Sequence, residues 1–314
     1  MSITNDTTDL SATTNRVDRD TLKFDFPEIR IGTADYVEAQ TGCTVFEFQN
    51  RSMMVSDCRG GAIGSIGTHY PEVDAICFAG GSAYGQEAIL GVGAELHKRA
   101  NYSTHWQDIA LAAGAIIYDY RFRDNAVYPD KALGRAALNA AQPNLFAQGK
   151  VGAGFAASAG KCLTEQGYNG ERTGQGAAFR QIGKTKIFVA TVLNPFGAII
   201  DKSGNVVRGN LAPKTERRIH LHEHIGEIGT PAKGNTTLTL MVTNQVISRE
   251  ALTQVSKQVH SSMARGIQPF HSEFDGDVLL AVSTQQVTDP GMPPFALGAM
   301  ASELAWDAIL AAAG

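Results

Sequence analysis

The chain is predicted to fold as one layered α/β domain, and three observations predict it. From Thr21 onward, strand-like and helix-like runs alternate with no internal repeat and no long linker. The 314 residues are 43% hydrophobic and carry a net charge of only −4, a balance suited to a large packed core and foreign to a disordered chain. Between Thr237 and Gly314 a period-two run, a helical run, a second strand and a final helix follow one another directly.

The elements read as follows. Residues 1–20 are rich in Ser, Thr, Asn and Asp, with no basic start before an apolar run. They read as a disordered tail without a secretory signal, leaving 21–314 as the single domain. Cys43–Phe48 alternates by face and Met53–Val55 follows closely, which predicts an antiparallel pair. Val73–Ala79 is a buried strand running into Gly80-Gly81-Ser82, and Tyr84–Lys98 is a helix with Ser82 as its cap. Ala112–Tyr120 is a further buried strand, and Lys131–Ala141 a second helix, with Pro143 just beyond its end. Lys186–Leu193 and Gly197–Asp201 are β-rich, and Ser203-Gly204-Asn205 is a tight turn. Leu238, Leu240 and Val242 alternate with Thr237, Thr239, Met241 and Thr243, the pattern of a strand with one buried face. Ser248 caps a helix with apolar positions at Leu252, Val255, Val259 and Met263, and Gly266 ends it. Asp277–Ser283 is a strand, and Pro294 opens a last helix striped by Leu297, Ala301, Leu304 and Ala308. Hairpins mixed with helices favour stacked layers over a strictly alternating doubly wound sheet.

Several function classes are excluded. There is no basic surplus to neutralise nucleic-acid phosphates. Apolar stretches such as Asp108–Tyr118 fall short of the roughly 20 residues that span a bilayer, so no membrane segment is expected. Cys43, Cys58, Cys77 and Cys162 form no CxxC pair and read as buried thiols in a reducing cytoplasm, not as a zinc site. Gly154–Lys161 misses the phosphate-loop spacing, and Cys162 stands where Ser or Thr would bind magnesium. His220, His222 and His224, with Glu223 among them, have the period-two spacing that zinc could use. The surrounding stretch from Leu211 to Lys233 is polar and punctuated by Gly and Pro, however, so it reads as a solvated loop. No GxSxG, HExxH or SxxK signature is present.

One junction carries chemistry. In Lys233-Gly234-Asn235-Thr236-Thr237 a turn-forming dipeptide feeds directly into the alternating strand. A hydroxyl on the strand's first residue can attack the carbonyl just before it. Cleavage there leaves Thr236 as a new N-terminus, whose α-amine is an internal base for its own hydroxyl. The reference pKa of such an amine, about 7.7–8.0, is close to working pH.

Gly234–Thr237, Lys257–Met263 and Arg265–His271 resemble the nylon-oligomer endohydrolases, which cleave 6-aminohexanoate oligomers. Tyr128–Arg135, Thr173–Arg180 and Val206–Asn210 extend the resemblance, which runs in order from about Leu22 to the end. These enzymes group with the L-aminopeptidase/D-esterase and β-peptidyl aminopeptidase family of self-processing N-terminal-nucleophile hydrolases. The resemblance implies an αββα-type layered fold and cleavage between Asn235 and Thr236 into chains 1–235 and 236–314. It implies that Thr236 is the nucleophile, Lys161 the catalytic lysine and Asn194 an active-site amide able to donate to an oxyanion. Asp275 and Asp277 correspond to the paired aspartates, which could orient the threonine hydroxyl and its ammonium form. Tyr118 corresponds to an active-site tyrosine able to hold substrate. A cationic lysine near the α-amine would lower the amine's pKa and keep it a free base. The resemblance further implies a homo-oligomer, a tetramer, that needs neither metal nor organic cofactor. An aminopeptidase releasing N-terminal β- or α-residues is the alternative, and a non-catalytic member of the fold would remain one uncut chain of 33.4 kDa.

Overall fold

A computed structural model describes residues 3–227 and 234–314. In its first half lie β1 (Ile29–Tyr36), β2 (Thr41–Cys58), β3 (Glu72–Ala79), α1 (Gln86–Arg99), β4 (Ala112–Ile116) and α2 (Lys131–Asn139). The second half holds β5 (Gln175–Ile182), β6 (Thr185–Asn194), β7 (Thr236–Gln245), α3 (Arg249–Ser262), β8 (Val278–Val287) and α4 (Pro294–Ala313). The principal strand order is β5-β6-β7-β8-β2-β3-β4, with β1 also paired to β2. Neighbours along that path are antiparallel except for β7–β8 and β3–β4.

Strand β2 explains how one continuous sheet becomes two layers. Its residues Cys43–Glu47 pair with β3, whereas Met53–Cys58 pair with β8, and the register shifts between Glu47 and Ser52. Such an irregularity bends a strand and increases its local twist. The two halves of the sheet therefore face each other across a shared core. Phe46 packs edge-on to Phe78 at 5.6 Å and reaches Phe188 of β6 at 6.5 Å, while Leu240 and Leu280 join the same cluster from β7 and β8. On one outer face Ile89, Val92, Leu133 and Leu138 of α1 and α2 cover Val45 and Cys77. On the other, Leu252, Val259, Leu304 and Ile309 of α3 and α4 cover Val189 and Met241. The layers run helix, sheet, sheet, helix, as the αββα expectation requires.

The structure corrects several local readings. The run from Cys43 to Val55 belongs to one 18-residue strand, not to a hairpin, because its two ends find different partners. All ten residues of β7 are buried, so its alternation separates two covered faces, not core from solvent. The helix expected at Tyr84 begins at Gln86 after a short turn, and Ser82, at φ +54°, makes no capping hydrogen bond. The strand from Ala112 ends at Ile116, which leaves Tyr118 in the loop beyond it. Ser248 does cap α3, accepting from the Ala251 N–H.

The segment before Thr21 is laid against the body rather than disordered over its described residues. Thr13 and Thr14 pair with Asp35 and Ala34 of β1, and the Asn5 and Asn15 side chains bond to the carbonyls of Tyr128 and Ala140. Its polar composition reflects these hydrogen bonds. Cys43, Cys77 and Cys162 are buried as expected, but Cys58 is exposed at the end of β2. Helix α4, with 20 residues and a mean hydropathy of 1.3, is long and apolar enough to cross a bilayer, unlike the stretches weighed from sequence. Leu297, Ala301, Leu304, Ala305, Ala308 and Ile309 are nonetheless packed inside the protein.

Candidate active site

The start of β7 meets the loop before β8 and the end of β6. Thr236, the first residue of β7, stands opposite Asn194, the last of β6. Gly234 precedes the junction at φ +85° with the Tyr118 ring against it, so an added Cβ would lie 2.8 Å from that ring. This left-handed, side-chain-free position lets the chain turn into the strand at close quarters. Thr236 Oγ1 contacts the carbonyl oxygen of Asn235, and the Gly276 N–H donates to the same oxygen at 2.8 Å. A hydroxyl thus lies against the carbonyl that precedes it, while a backbone donor polarises that carbonyl. Gly276 is closely fitted as well: a Cβ there would stand 2.7 Å from Thr236 Oγ1 and 2.6 Å from the Ala62 carbonyl.

The supporting side chains are buried around this junction. Lys161 is 2% exposed, and its Nζ donates to both Oδ1 and the carbonyl of Asn194, each at 3.0 Å. Burial drives its pKa down to about 7; Asp275 and Asp277 oppose the shift and the nearby Arg121 reinforces it. Lys161 therefore gives up its proton far more readily near neutrality than a solvated lysine does. Asp275 accepts from the Phe196 N–H and from both the N–H and the hydroxyl of Ser272. Burial, followed by the neighbouring Asp277, raises its pKa to about 6. Asp277 accepts the Thr237 N–H at 2.7 Å through one oxygen and the His271 N–H and Nδ1 through the other.

The chain matches the model of peptidase family S58 over residues 24–314. The chain belongs to peptidase family S58. It is 47% identical over 311 residues to the 6-aminohexanoate-oligomer endohydrolase of Kocuria sp. (strain KY2), covering 94% of this chain and 86% of that enzyme. The enzyme of the same name from Agromyces sp. (strain KY5R) is 46% identical over 324 residues, with coverages of 98% and 90%. Among solved structures, a Burkholderia sp. beta-aminopeptidase superposes with a TM-score of 0.68 at 17% identity, covering 95% of this chain and 88% of its own. The L-aminopeptidase D-Ala-esterase/amidase of Ochrobactrum anthropi, described as a variant of the Ntn hydrolase fold, superposes with a TM-score of 0.60 at 14% identity, with coverages of 87% and 78%. The fold of this S58 member is that of the Ntn hydrolases, and its family chemistry is amide hydrolysis.

Within this family member, Thr236, Lys161, Asn194, Asp275, Asp277 and Tyr118, expected from sequence, come together at one place. Their contacts refine the expected roles. Asn194 Nδ2 donates to the Tyr118 and Gly234 carbonyls at 3.1 and 3.4 Å, so it is not the donor to the Asn235 carbonyl. Gly276 is that donor. The aspartates hold backbone N–H groups at Phe196 and Thr237, and neither hydrogen-bonds Thr236 Oγ1. Sequence reasoning missed Gly276 and His271. The glycine between two site aspartates was the available signal for the first; the second, at φ +62°, closes the matched motif Arg265–His271, which gave it no role of its own.

The histidine triplet is not a strand face. Leu221–Glu227 forms a short helical turn, His220 and His222 stack at 5.1 Å, and His224 Nε2 pairs with the Tyr168 hydroxyl at 3.0 Å. Among the described residues, no group of three or more His, Cys, Asp or Glu is arranged to hold a metal. Lys233, with which the junction begins in sequence, lies outside the described residues.

Proposed function

We propose that this S58 protein is a self-processing amide hydrolase whose nucleophile is Thr236 and whose substrates are 6-aminohexanoate oligomers, cut endo-wise. The observation that carries the reading is the contact of Thr236 Oγ1 with the Asn235 carbonyl while the Gly276 N–H donates to the same oxygen. In processing, Oγ1 attacks the Asn235 carbonyl carbon, and the oxyanion is held by the Gly276 N–H. The hydroxyl proton passes, with Lys161 in its neutral form as base, to the departing Thr236 nitrogen. The C–N bond breaks and an ester joins Asn235 to Oγ1. Water then hydrolyses the ester, leaving a carboxylate on Asn235 and a free α-amine on Thr236. The mature chains are residues 1–235 and 236–314.

In turnover, the Thr236 α-amine takes the proton from its own hydroxyl as that hydroxyl attacks the substrate amide, and it returns the proton to the leaving amine. Whenever Lys161, buried at the same junction, is protonated, its charge favours the free base of that amine. The relatives' shared substrate name supports the oligomer specificity. A homotetramer in the cytoplasm is part of the same reading. The exposed rings of Tyr84, Tyr102 and Trp106 offer apolar surface for association, and sedimentation equilibrium measures it.

Intact mass of the purified protein tests the processing step. Two fragments split at Asn235–Thr236 are expected, with Thr236→Ala remaining whole. Incubation with linear 6-aminohexanoate oligomers should yield internal cleavage products. A single uncut chain with full amidase activity would overturn the mechanism, and release of terminal residues alone would favour the aminopeptidase alternative.

A further inference from the structure

Beside the catalytic lysine the surface opens into a cleft of about 440 Å³, within the range of small-molecule sites. Two of its lining residues touch Lys161: Thr164 Oγ1 donates to the lysine's carbonyl at 3.2 Å, and Gly170 is packed so that an added Cβ would stand 3.2 Å from the lysine's Cγ. Arg121, three residues after Tyr118, also lines it. It is the only charged residue lining the cleft among the described residues, and no carboxylate lines it. Arg121 is exposed and makes no hydrogen bond or ion pair among the described residues. Most other arginines around the site are engaged: Arg123 is buried on Asp119, Arg172 donates to the Phe155 carbonyl, and Arg218 is forked onto Glu171. Phe122, Tyr168 and Leu211 supply the apolar and aromatic part of the wall.

A lone guanidinium at a cleft that sets Phe122, Tyr168 and Leu211 beside the polar Thr164 and Asn169 matches a ligand whose polymethylene stem is broken by amides and ends in an anion. We propose that this cleft is a substrate subsite and that Arg121 recognises the terminal carboxylate of an ω-amino-acid oligomer, so that acid-terminated chains bind better than neutral ones. A site built to capture a substrate's free amine would instead need an acidic group, and none lines the cleft. The inference rests on the amide-oligomer reading above and adds a preference for one end of the chain. Guanidinium–carboxylate pairs are the strong, forked kind of hydrogen bond.

The test compares the 6-aminohexanoate linear trimer with its C-terminal carboxamide, using wild type and Arg121→Gln. Wild type should show a KM for the acid about tenfold below that for the carboxamide, as expected of one charge-assisted pair at a solvated site. Arg121→Gln should raise the KM for the acid about tenfold while leaving that for the carboxamide within about twofold, and any change in kcat should be the same for both substrates. Because Arg121 is exposed and unpaired, the variant should fold, which circular dichroism verifies, and any effect of the lost charge on Lys161 should fall on both substrates alike, so the readout is the ratio of the two KM values. Equal KM values in wild type, or a variant that weakens both substrates alike, would overturn the subsite while leaving the amide-hydrolase reading intact. If wild type cleaves neither trimer, the substrate reading falls, and calorimetric binding of 6-acetamidohexanoate decides the subsite separately. Binding to wild type that is lost in Arg121→Gln supports it, and equal or absent binding overturns it.

Discussion

Gly276→Ala isolates the step that the site geometry makes most specific. Replacing the glycine places a methyl group 2.7 Å from Thr236 Oγ1 and 2.6 Å from the Ala62 carbonyl, both closer than real Cβ contacts allow. Ala62 belongs to backbone that cannot swing aside as a flexible side chain would, so the 275–277 loop must retreat. That retreat stretches the 2.8 Å bond from the Gly276 N–H to the Asn235 carbonyl, the donor to the oxygen on which negative charge would develop in the proposed self-cleavage. Loss of one such donor slows comparable reactions by about 10²–10³-fold, or about 3–4 kcal/mol. Overpacking adds an equilibrium cost of about 1–3 kcal/mol, which leaves a large domain folded. The assay is a time course of intact mass from the first soluble protein, following loss of the 33.4 kDa precursor. Circular dichroism and urea unfolding verify the fold. Gly93→Ala in α1 is the control, because its new Cβ would meet nothing nearer than Ala112 Cβ at 3.7 Å. Processing of a folded Gly276→Ala variant within twofold of wild type would refute the assignment of Gly276 as the oxyanion donor.

Three further outcomes are expected. The rate of self-cleavage should climb between about pH 5 and 8, since Asp275 ionises near 6 and Lys161 loses its proton near 7; a flat profile would remove both from the mechanism. In a Thr236→Ala background, Lys161→Met should stabilise the fold more at low pH. The unfolded chain holds the lysine proton up to about 10.5 and the folded chain only to about 7, so the burden is complete below pH 7 and fades as pH rises toward 10.5. Denaturant titrations should find the gain about 2–3 kcal/mol larger at pH 6 than at pH 9, and an equal gain at both would contradict the neutralised lysine. Phe188→Ala empties the centre of the inter-sheet core, where the ring meets Phe24, Phe46 and Phe146. It should cost about 3–5 kcal/mol in urea unfolding, and a cost under about 1 kcal/mol would mean that the two sheet halves do not depend on that contact.

Local patterns were legible where chemistry and burial coincide along the chain. The Ser248 cap, the stepped apolar face of α3 and the breakpoint at Gly266 depend on neighbours within a few residues, and the structure keeps all three nearly where the sequence puts them. The junction Gly234-Asn235-Thr236 is likewise local: a turn, a carbonyl and a hydroxyl on adjacent residues. What surrounds it is not. Lys161 follows a glycine-rich stretch, and apart from the family resemblance nothing in its neighbours along the chain marks it as buried. Only its burial in the fold, with Asn194 and Gly170 against its side chain, strips its water and brings its pKa down.

The same division holds for the sheet. Alternation marked β7 as a strand, but whether one face or both were covered depended on α3 and α4 lying on one side and the folded-over half of β2 on the other. The long β2 was missed as a single strand because its two halves pair with different partners, and pairing partners tens to hundreds of residues away leave no local trace. Residue order was enough for the helix caps, the strand periodicity and the resemblance that singled out Thr236, because each rests on side chains close in sequence or on whole matching motifs. Tertiary structure alone chose Gly276 as the donor to the Asn235 carbonyl, turned Asn194 toward Tyr118 and Gly234, and left Arg121 unpaired beside the cleft. Those outcomes hang on distances between segments that only the closed fold brings within reach.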